Sequence, residues 1–240
     1  MNKILYYECR RLIGNKIFIG LSLVTILCSW QLLTGTVILG IANTAPFSPW
    51  SFGYYLSSVA PFLCAIELFF ITFFTSKNEQ KVSVITSATS VNKNKYTLIR
   101  CISIAIGMVI IVLIVVALGI LFYKTIFDIV PLQTLFLPTV LAIIPSLIFT
   151  MGAGWFLGRY SQIGIYVLLA VQLLVPYIPS SQKLYITGIR FFSEYPINLG
   201  VLDPTFKLEI SYLISRLILL IVGTVLMATI VNFGEFNKEK

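Results

Sequence analysis

Apolar residues in this chain come in long blocks and do not alternate with polar ones. Six runs reach or approach the roughly 20 residues that a helix needs to cross a bilayer. They are 17–41, 55–75, 101–123, 132–157, 162–179 and 211–232. The pattern predicts an all-α integral membrane protein with six transmembrane helices, forming one domain over residues 1–240. The first apolar run starts only at Ile17 and is too long for the apolar part of a signal peptide, so it reads as a span.

The breaks between the blocks have characters of their own. In 1–16, Leu5, Tyr6, Cys9, Leu12 and Ile13 share one arc of a helical wheel. Lys3, Tyr7, Arg10, Arg11 and Asn15 take the other side, which predicts a basic amphipathic helix lying in the membrane interface. The longest basic break, 76–100, carries Lys77, Lys81, Lys93, Lys95 and Arg100 around a semi-apolar island at 82–91. The break at 180–210 is rich in apolar side chains and cut by Pro196 and Pro204. It predicts one or two short helices dipping back into the membrane, where protein must cover the irregular backbone. Trp50, Tyr54 and Tyr55, with Trp155 and Tyr160 at the other side, read as interfacial belts. Gly152, Ala153, Gly154 and Gly158 give span four a small-residue face for close helix packing.

Composition agrees with the pattern. Charged residues make up 11% of the chain, against about 25% in a soluble domain. Charge then orients the spans. With both termini inside, the inner segments hold twelve Lys and Arg residues and the outer ones four, Lys124, Lys183, Arg190 and Lys207. That is a positive-inside bias. Acidic residues divide equally, so the net charge of +8 falls on the inner face. The basic balance is therefore a topology signal with attraction to anionic lipid, not a nucleic-acid footprint.

Several chemistries are excluded. The chain has no histidine, which removes histidine-based nucleophile pairs, metal sites and proton shuttles. No phosphate-binding loop of the Gly-x-x-x-x-Gly-Lys-Ser/Thr kind occurs. Cys9, Cys28, Cys64 and Cys101 lack the spacing of a metal site or a disulfide framework. A non-catalytic role is expected.

Polar groups within spans are candidates for function by default. Glu67 lies about twelve residues, or roughly 18 Å, into span two. It reads either as structural or as part of a substrate or proton path. Arg216 lies near the outer end of span six and either snorkels outward or pairs with Glu67 across a depth mismatch. Gln31 and Gln172 read as interhelical hydrogen-bonding groups.

The arrangement resembles the permease subunit of a bacterial type-2 ABC exporter, of the small six-span kind found in lantibiotic immunity, peptide-toxin or drug export. The resemblance covers the whole chain in architecture. Its best local match runs from Glu79 through the apolar stretch 82–88 to Val91 and Arg100. Lys81-Val82-Ser83 stands where the family often has Gly-Thr, and Ser90 where it has Pro. The resemblance implies a cytoplasmic coupling helix at 82–90 and re-entrant helices between spans five and six. It implies two copies of a separate ATPase subunit, which carry ATP and Mg, contacting Glu79, Lys81, Val82, Ile85, Thr86, Val91 and Lys93. No cofactor is expected on this chain. A second permease, identical or homologous, would complete a path for an amphipathic peptide, drug or lipid-like cargo in the bacterial cell membrane. The alternatives are a secondary transporter or vitamin-uptake membrane component, and a scaffold without a transport path.

Overall fold

The computed structural model describes residues 2–76, 79, 93–129, 132–174 and 188–232. Within them the chain is all-helical. The helices are α1 (Asn2–Ile13), α2 (Lys16–Gly35), α3 (Pro49–Thr75), α4 (Lys93–Phe127), α5 (Leu132–Tyr160), α6 (Gln162–Leu174), α7 (Ile189–Asn198) and α8 (Ile210–Asn232), with a 3-10 turn at Val37–Leu39. Five are long and apolar enough to cross a membrane, and α6 is a shorter apolar helix.

Local signals set the boundaries. Gly14 and Asn15 separate α1 from α2, and the Asn15 side chain caps α2 by accepting from the Ile17 amide at 3.1 Å. Ser48 caps α3 by accepting from the Ser51 amide at 3.2 Å, and Pro49 fills the first position, where a missing N–H costs nothing. This start is earlier than the expected Tyr55, because a capping serine and proline outweigh the hydropathy edge. α4 likewise begins at Lys93 and not at Cys101. Between Lys93 and Arg100 no Gly or Pro interrupts the turn. The helix is about 52 Å long, more than the roughly 30 Å of a hydrocarbon layer.

α3 is the centre of the bundle, packed by α5, α6, α7, α4 and α2. Its core positions include Leu56, Leu63, Leu68, Ile71 and Phe74, all nearly inaccessible. The Tyr55 hydroxyl donates to the Val115 carbonyl at 3.0 Å and Arg100 meets the Phe74 carbonyl, so α4 runs antiparallel to α3. α5 runs parallel to α3: Gly154 faces Leu68 and Ile71, and Gly158 faces Thr75. α6 returns antiparallel to α5, with Ile165 against Gly158 and the Gln172 amide donating to Thr150 Oγ1 at 2.7 Å.

The small-residue face of α5 packs within the chain. A Cβ at Gly152 would overlap the Gly223 carbonyl of α8, and one at Gly223 would lie 2.6 Å from the Ile148 carbonyl. Two backbones are thus in contact, and this joins α8 to the bundle while most of its other face stays exposed.

The far end of the bundle is closed by aromatics. Trp50 packs at tilted and edge-on angles among Phe191, Phe192, Tyr195 and Phe206, and its indole N–H donates to the Pro204 carbonyl at 2.9 Å. Trp50 and Tyr55, expected as interfacial belt, are fully buried, and Tyr160 is exposed. The break at 180–210 provides one described helix, α7, whose Phe191 and Phe192 pack onto α3 and α8. Asp203 holds the segment to the loop before α3, accepting from the Ala45 amide at 3.2 Å and donating its own amide to the Asn43 carbonyl at 3.1 Å.

Candidate functional site

The opposite end of the bundle carries a compact charged cluster built from three places in the sequence. α1 supplies Glu8 and Arg11. The chain just after α3 supplies Glu79. The first turns of α4 supply Tyr96 and Arg100. Glu8, Glu79 and Arg100 are each less than one-tenth exposed. The Arg11 side chain is 42% exposed and forms the open edge of the cluster.

Arg100 is its centre. Nη2 lies 2.6 Å from Glu79 Oε2 and 3.1 Å from the Tyr96 hydroxyl, and Nη1 donates to the Phe74 carbonyl at 3.4 Å. Nε stands 3.8 Å from Glu8 Oε1. Tyr96 relays the contact, accepting from Arg100 while its O–H donates to Glu8 Oε1 at 2.7 Å. Arg11 bonds both oxygens of Glu79, one through Nη1 at 3.3 Å and the other through Nη2. It also stands 3.7 Å from Glu8 Oε2, one helical turn away on α1. The two guanidinium groups stack on neighbouring rings. Arg11 lies 4.9 Å from the Phe73 centroid, and Arg100 lies 4.4 Å from Tyr96 and 5.3 Å from Phe74.

Two acids and two bases leave the cluster neutral, and bidentate geometry supports burial of charge. The hydrogen bonds to Glu79 hold the Arg11 guanidinium above its ordinary range, against the opposing effect of partial burial. The cluster ties α1, the chain just after α3 and the start of α4 together, on both sides of residues 80–92.

α1 packs on α4. Of the apolar arc Leu5, Tyr6, Cys9, Leu12 and Ile13, Leu12 is buried and Leu5, Cys9 and Ile13 are half-buried, whereas Tyr6 is 61% exposed. Glu8 shares the buried side because Tyr96 and Arg100 meet its carboxylate there.

Of the residues expected at a partner contact, Glu79 belongs to this cluster and Lys93 opens α4. Lys81, Val82, Ile85, Thr86 and Val91, with the expected coupling helix at 82–90, lie outside the described residues. Glu8, Arg11 and Tyr96 were not among the sequence candidates. One signal was available: Glu8 is the sole acid in the first sixteen residues, three positions before Arg11.

The intramembrane polar residues separate. Arg216 does not snorkel. It is 1% exposed, with Nη1 3.3 Å from Ser146 Oγ and its guanidinium 4.8 Å from the Tyr212 ring centroid. It abuts Gly188, whose φ of +77° and lack of a Cβ make room for it. Glu67 is 1% exposed, and its carboxyl makes no hydrogen bond or ion pair among the described residues. It does not pair with Arg216. Arg216 meets α5 at Ser146. Gln172 bridges α6 to α5, as its mid-span amide predicts. Gln31 is exposed on α2 and makes no hydrogen bond among the described residues. Among those residues no group of His, Cys, Asp and Glu has the makings of a metal site.

No family model matches the chain, and no curated protein and no solved structure matches it either.

Proposed function

We propose that this chain is the membrane-spanning permease subunit of an ABC exporter of the type-2 kind. In this reading a separate ATPase presses on residues 80–92, and two permease copies form the path for an amphipathic peptide, drug or lipid-like substrate. The observation that supports it is the cluster of Glu8, Arg11, Glu79, Tyr96 and Arg100. Residues 80–92 leave from Glu79 and return to α4 just before Tyr96. Both anchors are bonded to each other and to α1. A force applied there passes to α1, α3 and α4 together, which is what coupling to an external motor requires. The basic ends supported by α1 and α4 suit the cytoplasmic side. α6 adds a sixth crossing in this reading, since it leads away from the charged cluster and the chain reappears at Gly188 at the opposite end.

The test is co-purification of an ATPase subunit with the full chain from its native membranes. ATPase recovery is expected, with loss on charge reversal at Lys81 or Lys93. A chain that purifies alone and moves substrate on an ion gradient overturns the proposal. That outcome belongs to the second reading, a secondary transporter, which a mid-span Glu67 carboxyl without a hydrogen bond among the described residues favours.

A further inference from the structure

α2 presents a row of side chains that no described residue covers. Ile17, Gly20, Val24, Leu27, Gln31 and Thr34 recur at spacings of three and four, and all are exposed. The other side of the helix buries Phe18, Thr25, Ser29 and Leu33. Alternating threes and fours are the spacing of a coiled-coil seam. α4 and α8 also carry exposed rows. These are Ile102, Ile106, Val109 and Leu113 on one and Ile210, Ile214, Leu217 and Ile221 on the other. Both rows are wholly apolar, as a lipid-facing surface should be.

The α2 row differs in two respects. Gln31 brings an unbonded amide to membrane depth, about 22 Å along the helix from Lys16. Acyl chains offer that amide no partner. Gly20 has nothing within 4 Å of where a Cβ would stand, so another backbone has access to it.

The geometry points to a second copy of this chain as the occupant, α2 against α2 about a two-fold axis along the membrane normal. Two copies inserted the same way present α2 in parallel and at equal depth, so Gln31 meets Gln31. An amide both donates and accepts, and the symmetric pair is self-complementary. One polar residue in an otherwise apolar seam also fixes the register. An unrelated partner needs a matching group at that depth, whereas a second copy supplies it by symmetry. This inference rests on the two-copy part of the proposed function and not on its ATPase.

The test is oxidative cross-linking of Leu27→Cys in the full chain, in membranes without any ATPase. The controls are the unsubstituted chain, whose Cys28 lies off the seam, and Ile221→Cys on α8. Leu27 is 68% exposed and Ile221 60%, so neither change disturbs the core. A covalent dimer is expected from Leu27→Cys alone. Adding Gln31→Leu lowers the cross-linked fraction about threefold to twentyfold, the range for one interhelical polar contact in lipid. Gln31→Asn retains most of it. No dimer at Leu27, equal dimer at Ile221, or indifference to Gln31→Leu overturns the inference. Failure at Leu27 with ATPase still co-purifying refutes the seam alone. A Leu27→Cys dimer from a chain that never binds an ATPase refutes the permease reading alone.

Discussion

Arg100 and Glu79 meet in a buried ion pair, Nη2 to Oε2 2.6 Å, that joins the start of α4 to the chain just beyond α3. Removing the guanidinium takes from buried Glu79 its bond to Arg100 and from buried Glu8 the cation 3.8 Å away. Breaking a buried pair on one side costs about 3–5 kcal/mol. Arg100→Gln is therefore expected to lower the thermal midpoint in detergent sharply. Arg11→Gln, at the exposed edge, is expected to cost about 1 kcal/mol or less. Equal losses for the two would contradict the placement of Arg100 at the centre.

The Arg11 contact has a defined pH behaviour. Its guanidinium is held above the ordinary arginine range by Glu79. A raised base contributes stability that is fully present below its unfolded pKa and lost only as pH rises through the folded one. Hydrogen-exchange protection of α1 should therefore be unchanged between neutral pH and about pH 9, once corrected for intrinsic exchange rates. Release of α1 within that window would show that Arg11 does not hold it.

The contact of Gly152 with Gly223 allows no side chain. Alanine gains up to about 1 kcal/mol in helix propensity over glycine. Here it also drives a Cβ into backbone, and overpacking of that kind costs about 1–3 kcal/mol or more. The steric cost wins. Gly223→Ala is expected to be destabilised, while Gly20→Ala, in open space on α2, is expected to be neutral or slightly stabilised. Denaturation of the two variants side by side checks the sign of each.

Trp50 anchors the aromatic closure at the far end. Trp50→Ala removes a fully buried ring and its bond to Pro204, at a cost of about 3–5 kcal/mol. Limited proteolysis should then cut the segment between α7 and α8. A protected segment would mean that Asp203 and Phe206 hold it without the indole.

Glu67 is a buried carboxyl that makes no hydrogen bond among the described residues, and such a group opposes folding by about 1–3 kcal/mol. Glu67→Met should raise the thermal midpoint. A variant that is more stable but inactive in transport would assign the carboxyl to function. A less stable one would show that its role is structural.

The helical blocks and the basic character of one end are legible in the sequence, because bilayer-length apolar runs are local properties, whereas α3 and α4 start well before the hydropathy edges at 55 and 101. The glycine face of α5 and the bridging role of Gln172 follow from the same local logic. Tertiary packing decided the rest. Trp50 reads as an interfacial residue until four aromatics from residues 191–206 close over it. Arg216 reads as a snorkelling charge until α5 and Gly188 enclose it. Glu8 reads as one acid on a basic interfacial helix until Tyr96 and Arg100, about ninety residues away, turn it inward. In each case the partner is distant in the chain, and burial of a ring or a charge depends on what arrives to cover and pair it.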